Sequence, residues 1–146
     1  MIRHTMRALS AATLVIAPIA LTATPAHAVA SCRVNGIPVS GTSVVGTPGP
    51  DYITCGSLAS GDVVDGLGGA DYIRVSGDVG GGATLRGGTG RDYIRVDGSV
   101  GPTGQVLGGD DNDYVVVGPN AGVVNGGAGV DFCRVASGNP PVGCEV

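Results

Sequence analysis

Short segments of alternating polar and apolar residues recur along residues 43–135. Two of them are nearly identical, Tyr72-Ile-Arg-Val75 and Tyr93-Ile-Arg-Val96. A period of two is typical of a β-strand with one buried face. Each segment begins with an aromatic residue and directly follows an aspartate. These aspartates are 20, 21, 21 and 18 residues apart: Asp51, Asp71, Asp92, Asp113 and Asp131. Repeats at this period are typical of solenoids, so we expect five rungs of one coil.

Aligning the rungs on these aspartates places apolar residues in columns. The first column lies two residues after each aspartate, the second four residues after it, and the third two residues before the glycine-rich segment that precedes it. In that order the columns are Ile53, Ile73, Ile94, Val115, Cys133; Cys55, Val75, Val96, Val117, Val135; and Val44, Val64, Leu85, Val106, Val124. Such a thin core is typical of a parallel β-solenoid. A weaker fourth column (Ala59, Val79, Val100, Ala121) leaves a flat two-sided roll and a triangular β-helix both open.

The composition of the chain argues against a thick apolar core. All 28 glycines lie in residues 29–146, where there is no Trp and only one Phe. Glycine loses the most backbone freedom on folding, so bound metal or crosslinks must offset that entropy.

The first 28 residues are typical of a signal peptide. Basic residues precede an apolar run from Ala8 to Leu21, and Ala26-His27-Ala28 fits signal peptidase, so we place cleavage after Ala28. No second apolar run predicts a transmembrane segment. We expect a secreted, extracellular protein with an N-terminal cap at 29–42, a solenoid at 43–135 and a C-terminal cap at 136–146. The alternative is a lipid anchor through Cys32, because Val29-Ala30-Ser31-Cys32 loosely resembles a lipobox.

Charge and missing residue types narrow the function. Residues 29–146 contain six Arg, no Lys, no His and twelve acidic residues, a net charge of 6 − 12 = −6. An acidic surface disfavours nucleic acid and favours metal cations. The lack of histidine removes most nucleophile–base systems, so we predict that the protein is not an enzyme. A small calcium-dependent polysaccharide lyase with an arginine base is a less favoured alternative.

Four cysteines in an exported chain predict two disulfides. Cys55 and Cys133 occupy core columns four rungs apart, about 19 Å along the axis at ordinary strand spacing, so they cannot pair with each other. The local pairs Cys32–Cys55 and Cys133–Cys144 are favoured among three connectivities. Each would close one end of the solenoid.

A glycine-rich hexamer ends at each aspartate, and two hexamers match G-G-x-G-x-D in full, at 87–92 and 126–131. The hexamers resemble the haemolysin-type calcium-binding repeat, or RTX repeat, over roughly residues 43–135. The resemblance implies a right-handed parallel β-roll with calcium between successive rungs. It implies Asp51, Asp71, Asp92, Asp113 and Asp131 as side-chain ligands. The expected carbonyl ligands are those of Gly66, Gly69, Gly87, Gly88, Gly90, Gly108, Gly109, Gly126, Gly127 and Gly129.

The chain departs from the family pattern in two respects. The hexamer recurs once per rung, which predicts one row of at most four sites. Thr47, Leu67 and Asp111 replace family glycines, and the first hexamer, beside Cys55, is expected to serve more as a cap than as a site. Calcium takes six to eight oxygens from carboxylates and carbonyls, so we expect it to drive folding. The alternative is that the aspartates only cap glycine turns through local hydrogen bonds.

An aromatic and arginine stripe is expected on the outer surface. Its members are Tyr52, Tyr72, Tyr93, Tyr114 and Phe132, with Arg74, Arg95 and Arg134 two residues after an aromatic. One interpretation is a ladder of like side chains between rungs. The other is an extracellular carbohydrate or cell-surface binding site formed by Tyr72, Arg74, Tyr93, Arg95 and Tyr114.

Overall fold

A computed structural model describes residues 30–145 of the chain. The predicted signal peptide lies outside the described residues. Those residues form twelve strands and no helix, so none of them provides a helix able to cross a bilayer. The strands are β1 Ala30–Val34, β2 Ile37–Gly41, β3 Ser43–Val45, β4 Tyr52–Cys55, β5 Val63–Asp65, β6 Tyr72–Val75, β7 Thr84–Thr89, β8 Tyr93–Val96, β9 Gln105–Asp110, β10 Tyr114–Asn120, β11 Val123–Ala128 and β12 Phe132–Gly138.

Two sheets face each other across the core. Sheet A has seven strands in the order β12-β10-β8-β6-β4-β1-β2, and sheet B has five in the order β11-β9-β7-β5-β3. Strands of successive rungs pair in parallel, and equivalent residues meet, as Ile53 with Ile73 and Ile73 with Ile94. The predicted all-β parallel solenoid of about five rungs is therefore confirmed.

The core consists of the three predicted columns. Their members are at most 9% exposed, except Val135 in the last rung, which is only half-buried. Sheet A contributes the first two columns and sheet B the third, so one layer of side chains from each sheet fills the interior. Each rung buries its apolar face against its neighbours.

The fourth column is shifted by one residue at both ends. Leu58, Val79, Val100 and Asn120 pair across successive rungs as single bridges, and all four are buried. The prediction of Ala59 and Ala121 was therefore wrong. Leu58 fills the interior better than the smaller Ala59. Asn120 is tolerated because its Nδ2 donates to the Asn139 carbonyl at 3.0 Å and its Oδ1 accepts from the Gly122 N–H at 3.0 Å. The coil thus has two full sheets and a short third side.

An antiparallel hairpin extends sheet A at its N-terminal end. Strand β1 pairs with both β2 and β4, and the hairpin turns at Asn35 and Gly36, whose φ angles are 53° and 82°. Two residues with positive φ are typical of a type I′ hairpin turn. Cys32 of β1 forms a disulfide with Cys55 of β4. This bond uses the thiol that a lipid anchor through Cys32 would need.

The C-terminal segment continues the coil beyond β12. Val142 bridges in parallel to Asn125 of β11, and Cys144 forms a disulfide with Cys133. Both predicted disulfides are confirmed, and each fixes one end of the solenoid.

Candidate metal centre

The five aspartates form a buried ladder inside the solenoid, each 0–4% exposed. In rungs two to five, Oδ1 accepts a hydrogen bond from the backbone N–H of the aspartate one rung earlier. The four donor–acceptor distances are 2.8–2.9 Å, from Asp51 to Asp71, Asp71 to Asp92, Asp92 to Asp113 and Asp113 to Asp131. Each carboxylate is therefore held in one orientation. The interpretation of purely local turn caps was incomplete, because these bonds join different rungs.

The second carboxylate oxygen has no partner in four of the five rungs. Oδ2 of Asp71, Asp92, Asp113 and Asp131 is buried and accepts no hydrogen bond. Leaving a buried charged oxygen unpaired is costly, about 1–3 kcal/mol or more. Four such atoms in one row need a common explanation.

A glycine lies directly against each unpartnered oxygen. A Cβ added to Gly66 would overlap both Asp71 Oδ2 and the carbonyl oxygen of Gly87 in the next rung. The same pair of oxygens recurs at Gly87, where they belong to Asp92 and Gly108. Only glycine fits at these positions, because a carboxylate oxygen and a carbonyl oxygen already lie where a Cβ would be.

Burial raises the pKa of the inner carboxyls. It raises the pKa of Asp71, that of Asp92 to about 6 and that of Asp113 to about 7. The hydrogen bond from the preceding aspartate favours the charged form but does not outweigh burial, and charges of neighbouring acids raise the pKa further. At neutral pH the surroundings of Asp71, Asp92 and Asp113 therefore favour a proton or a cation beside the carboxylate.

The first rung satisfies its aspartate without a cation. Asp51 Oδ1 accepts from Asn35 Nδ2 at 2.6 Å, and Oδ2 accepts from the backbone N–H and Oγ1 of Thr47 at 2.5 and 3.1 Å. Burial opposes the charged form, yet these hydrogen bonds leave the pKa of Asp51 below its ordinary value. The geometry of Asp51 is that of a cap, as the departure of Thr47 from the glycine pattern predicts.

Glu145 ends the ladder at the other side. Its Oε2 accepts from the Asp131 N–H at 2.6 Å, and its own N–H donates to the Asp131 carbonyl at 3.0 Å. Glu145 thus occupies the place of a sixth aspartate. Neither Asn35 nor Glu145 was predicted as part of the site. The Asn35-Gly36 pair was an available hairpin signal, whereas Glu145 has neither the hexamer nor the repeat spacing.

The hexamers share a backbone pattern that explains their glycines. In rungs two to five the second and fourth positions have positive φ, between 73° and 142°: Leu67, Gly69; Gly88, Gly90; Gly109, Asp111; Gly127, Gly129. Leu67 and Asp111 therefore adopt the backbone conformation of the glycines that they replace. This left-handed conformation is less strained for Asp than for Leu.

Seven of the ten expected carbonyl ligands fall into two groups, and Gly90, Gly127 and Gly129 belong to neither. The carbonyl oxygens of Gly87, Gly108 and Gly126 lie beside the unpartnered oxygens of Asp71, Asp92 and Asp113, and that of Gly66 lies beside Asp51. The carbonyls of Gly69, Gly88 and Gly109 instead contact the glycine Cα of the next rung. Gly143, which was not predicted, places its carbonyl next to Gly126 and Asp131.

Within residues 30–145, no three acidic, cysteine or histidine side chains converge on one point. A cation on the ladder would therefore depend on one carboxylate oxygen and backbone carbonyls rather than on a cage of acids. All these donors are oxygens, which suit a hard cation such as calcium and not a soft transition metal. The buried, unpartnered carboxylate oxygens are donors of the kind that such an ion binds.

The outer stripe is a stacked ladder. The rings of Tyr52, Tyr72, Tyr93, Tyr114 and Phe132 stack with centroids 4.6–5.1 Å apart and planes within 2–11°. Arg74 and Arg95 both donate to Asp97, at 2.6 and 2.5 Å. The inner rings cover one another's faces, so they offer edges rather than faces to a ligand.

The chain was compared with family models, curated proteins and solved structures, and none of them matches it. The resemblance to RTX repeats therefore stays a prediction based on the hexamers.

Proposed function

We propose that this protein is a secreted calcium-binding solenoid in which calcium on the aspartate ladder stabilises the fold. The observation that carries the proposal is the row of four buried Oδ2 atoms without a partner. Those of Asp71, Asp92 and Asp113 lie beside a carbonyl oxygen of the following rung, and that of Asp131 lies beside the Gly143 carbonyl of the C-terminal segment. One row of up to four positions follows, beginning at Asp71 and ending at Asp131.

The chain supplies the site through three groups of atoms. The aspartate Oδ2 atoms carry the negative charge, the carbonyls of Gly87, Gly108, Gly126 and Gly143 add neutral oxygens, and the cross-rung hydrogen bonds to Oδ1 fix the carboxylates. Bound calcium supplies the positive charge that balances them.

The repulsion between ionised aspartates of successive rungs is large enough to support the proposal. Successive carboxylates one strand spacing apart, about 4.8 Å, repel by roughly 1–3 kcal/mol per pair at effective dielectric constants between that of water and 20. The whole stability of a small domain is only about 5–15 kcal/mol. A ladder of ionised aspartates without a counterion therefore removes a large part of the stability, and a divalent cation restores it.

An extracellular location agrees with this chemistry. Disulfides persist in oxidising compartments, and extracellular calcium modules bind at about 0.1–1 mM. The two disulfides are compatible with export, for which the first 28 residues carry the sequence signal. We infer a binding and structural role rather than catalysis, because residues 29–146 contain neither His nor Lys.

The proposal is tested by circular dichroism and thermal melting of the oxidised chain from residue 29 onward during a calcium titration. We expect a rise in melting temperature with calcium and a smaller rise with magnesium, because magnesium requires a nearly regular octahedral coordination. Asp113→Asn should weaken the response, whereas Asp65→Asn, outside the ladder on sheet B, should leave it unchanged. A chain that responds to neither metal contradicts the proposal.

A further inference from the structure

We propose that a groove on the outer face of sheet A binds a linear anionic polysaccharide through Arg33 and Arg74. We call it the basic groove. It lies beside the N-terminal hairpin, and its residues do not belong to the aspartate ladder. The inference does not rest on the calcium proposal.

The groove is built by the pairing of four strands, and its volume is about 680 Å³. Arg33 of β1 pairs with Thr54 of β4, which pairs with Arg74 of β6. The neighbouring row consists of small residues, Ser31, Gly56 and Ser76. A Cβ at Gly56 would lie 3.1 Å from Ser31 Oγ, so the missing side chain keeps the floor low. The Cys32–Cys55 disulfide joins β1 to β4 and holds the two sides of the groove in place.

The distribution of charge singles out this face. Six of the twelve acids are buried: Asp51, Asp62, Asp71, Asp92, Asp113 and Asp131. The exterior therefore carries six acids against six arginines, and the expectation of an acidic surface was wrong. Four arginines (Arg33, Arg74, Arg95, Arg134) project from the outer face of sheet A with one acid, Asp97, a net charge of 4 − 1 = +3.

Asp97 orients two of these arginines. It accepts from Arg74 Nε and Nη2 and from Arg95 Nε. The hydrogen bonds from Arg95 and Arg74 also hold the pKa of Asp97 below its ordinary value, so it stays ionised. The side chains of Arg74 and Arg95 remain 46% and 48% exposed. Both guanidinium groups are thus positioned but accessible.

The arrangement fits a polymer better than a single small anion. The arginines follow a line across the strands, at multiples of about 4.8 Å. The Thr54 hydroxyl lies between Arg33 and Arg74, and those of Ser31 and Ser76 lie in the neighbouring row. Guanidinium binds sulfate-type and carboxylate oxygens in a bidentate manner, and hydroxyl groups bind sugar hydroxyls. Single-stranded nucleic acid is disfavoured because it needs open aromatic faces, which the stacked tyrosines do not provide.

The test measures binding of the oxidised chain in calcium by calorimetry. The probes are a sulfated heparin oligosaccharide, a galacturonate oligosaccharide and neutral dextran. We expect binding of at least one anionic probe, weakened by salt, and none of dextran. The double variant Arg33→Gln and Arg74→Gln should weaken binding at least tenfold. Arg86→Gln removes one positive charge from the opposite sheet and should change the affinity less than twofold.

Thermal melting of each variant checks that it still folds. The charge-preserving double variant Arg33→Lys and Arg74→Lys should bind with an affinity between those of the unaltered protein and the glutamine double variant. The proposal would be overturned by no binding of either anionic probe, by an equal loss with Arg86→Gln, or by equally tight binding of dextran. Equally tight binding of single-stranded DNA with the same dependence on Arg33 and Arg74 would also overturn it, since the groove would then lack selectivity for a polysaccharide.

Discussion

Replacing one ladder carboxylate by an amide should stabilise the calcium-free protein and destabilise the protein in calcium. In Asp92→Asn, the amide oxygen still accepts the Asp71 N–H, which now reaches Asp92 Oδ1 at 2.9 Å. The amide nitrogen takes the place of the buried, unpartnered Oδ2 and can donate to the nearby Gly108 carbonyl. The variant removes a charge without removing the cross-rung bond.

The expected magnitude follows from the pKa. Burial raises the pKa of Asp92 from 3.8 to about 6, and a shift of about two units corresponds to roughly 3 kcal/mol of unfavourable ionisation at pH 8. The amide oxygen in Asp92→Asn is a weaker hydrogen-bond acceptor than the carboxylate, so the substitution also costs about 1 kcal/mol of stability. We expect Asp92→Asn to stabilise the calcium-free protein by about 1–2 kcal/mol, a rise in melting temperature of about 4–8 °C.

Calcium should invert this order. A site filled at a hundred times its dissociation constant adds about 2.7 kcal/mol, and the variant loses one site. Asp92→Asn should then be about 1 kcal/mol less stable than the unaltered protein. The assay is urea unfolding at pH 8 with chelator and with calcium, and Asp65→Asn is the matched control. Equal stabilisation with and without calcium would refute the reasoning.

Three further predictions concern the ladder. Because the folded pKa values of Asp92 and Asp113, about 6 and 7, lie above the unfolded value of 3.8, the stability that these two carboxyls contribute to chelated protein should be fully present below about pH 4 and lost as pH rises through 6–7. Melting curves at pH 4.5 and 8 would show this loss, and a flat profile contradicts it. Gly87→Ala should cost at least about 2 kcal/mol in urea unfolding because its Cβ overlaps Asp92 Oδ2, whereas Gly49→Ala, with space around it, should cost little. Glu145→Ala should cost about 1–2 kcal/mol by leaving the Asp131 N–H unpaired, and unchanged amide exchange at Asp131 would argue against this role.

Strict alternation made much of the fold predictable from the sequence. Ile73 and Val75 could be assigned to the core because each rung repeats the same strand with the same period. The third side was harder, since the spacing between aspartates varies between 18 and 21 residues. One residue more or less in a loop decides whether Leu58 or Ala59 faces inward. The spacing of the aspartates does not show in which loop that residue lies.

The site was predictable in its members but not in its bonding. The hexamers indicated which aspartates align, yet nothing in the sequence shows that Oδ1 accepts an N–H from another rung while Oδ2 does not. Asn35 and Glu145 act through tertiary placement, by way of a hairpin and a disulfide-bonded segment. The burial of half the acids likewise follows from the coil, because net charge alone does not distinguish inside from outside.

The most direct test of the central claim is equilibrium dialysis of the oxidised chain from residue 29 onward against millimolar calcium, followed by measurement of the metal bound per chain. The ladder predicts more than one and at most four calcium ions, with fewer in Asp92→Asn and an unchanged number in Asp65→Asn. A chain that retains no calcium under these conditions would contradict the account.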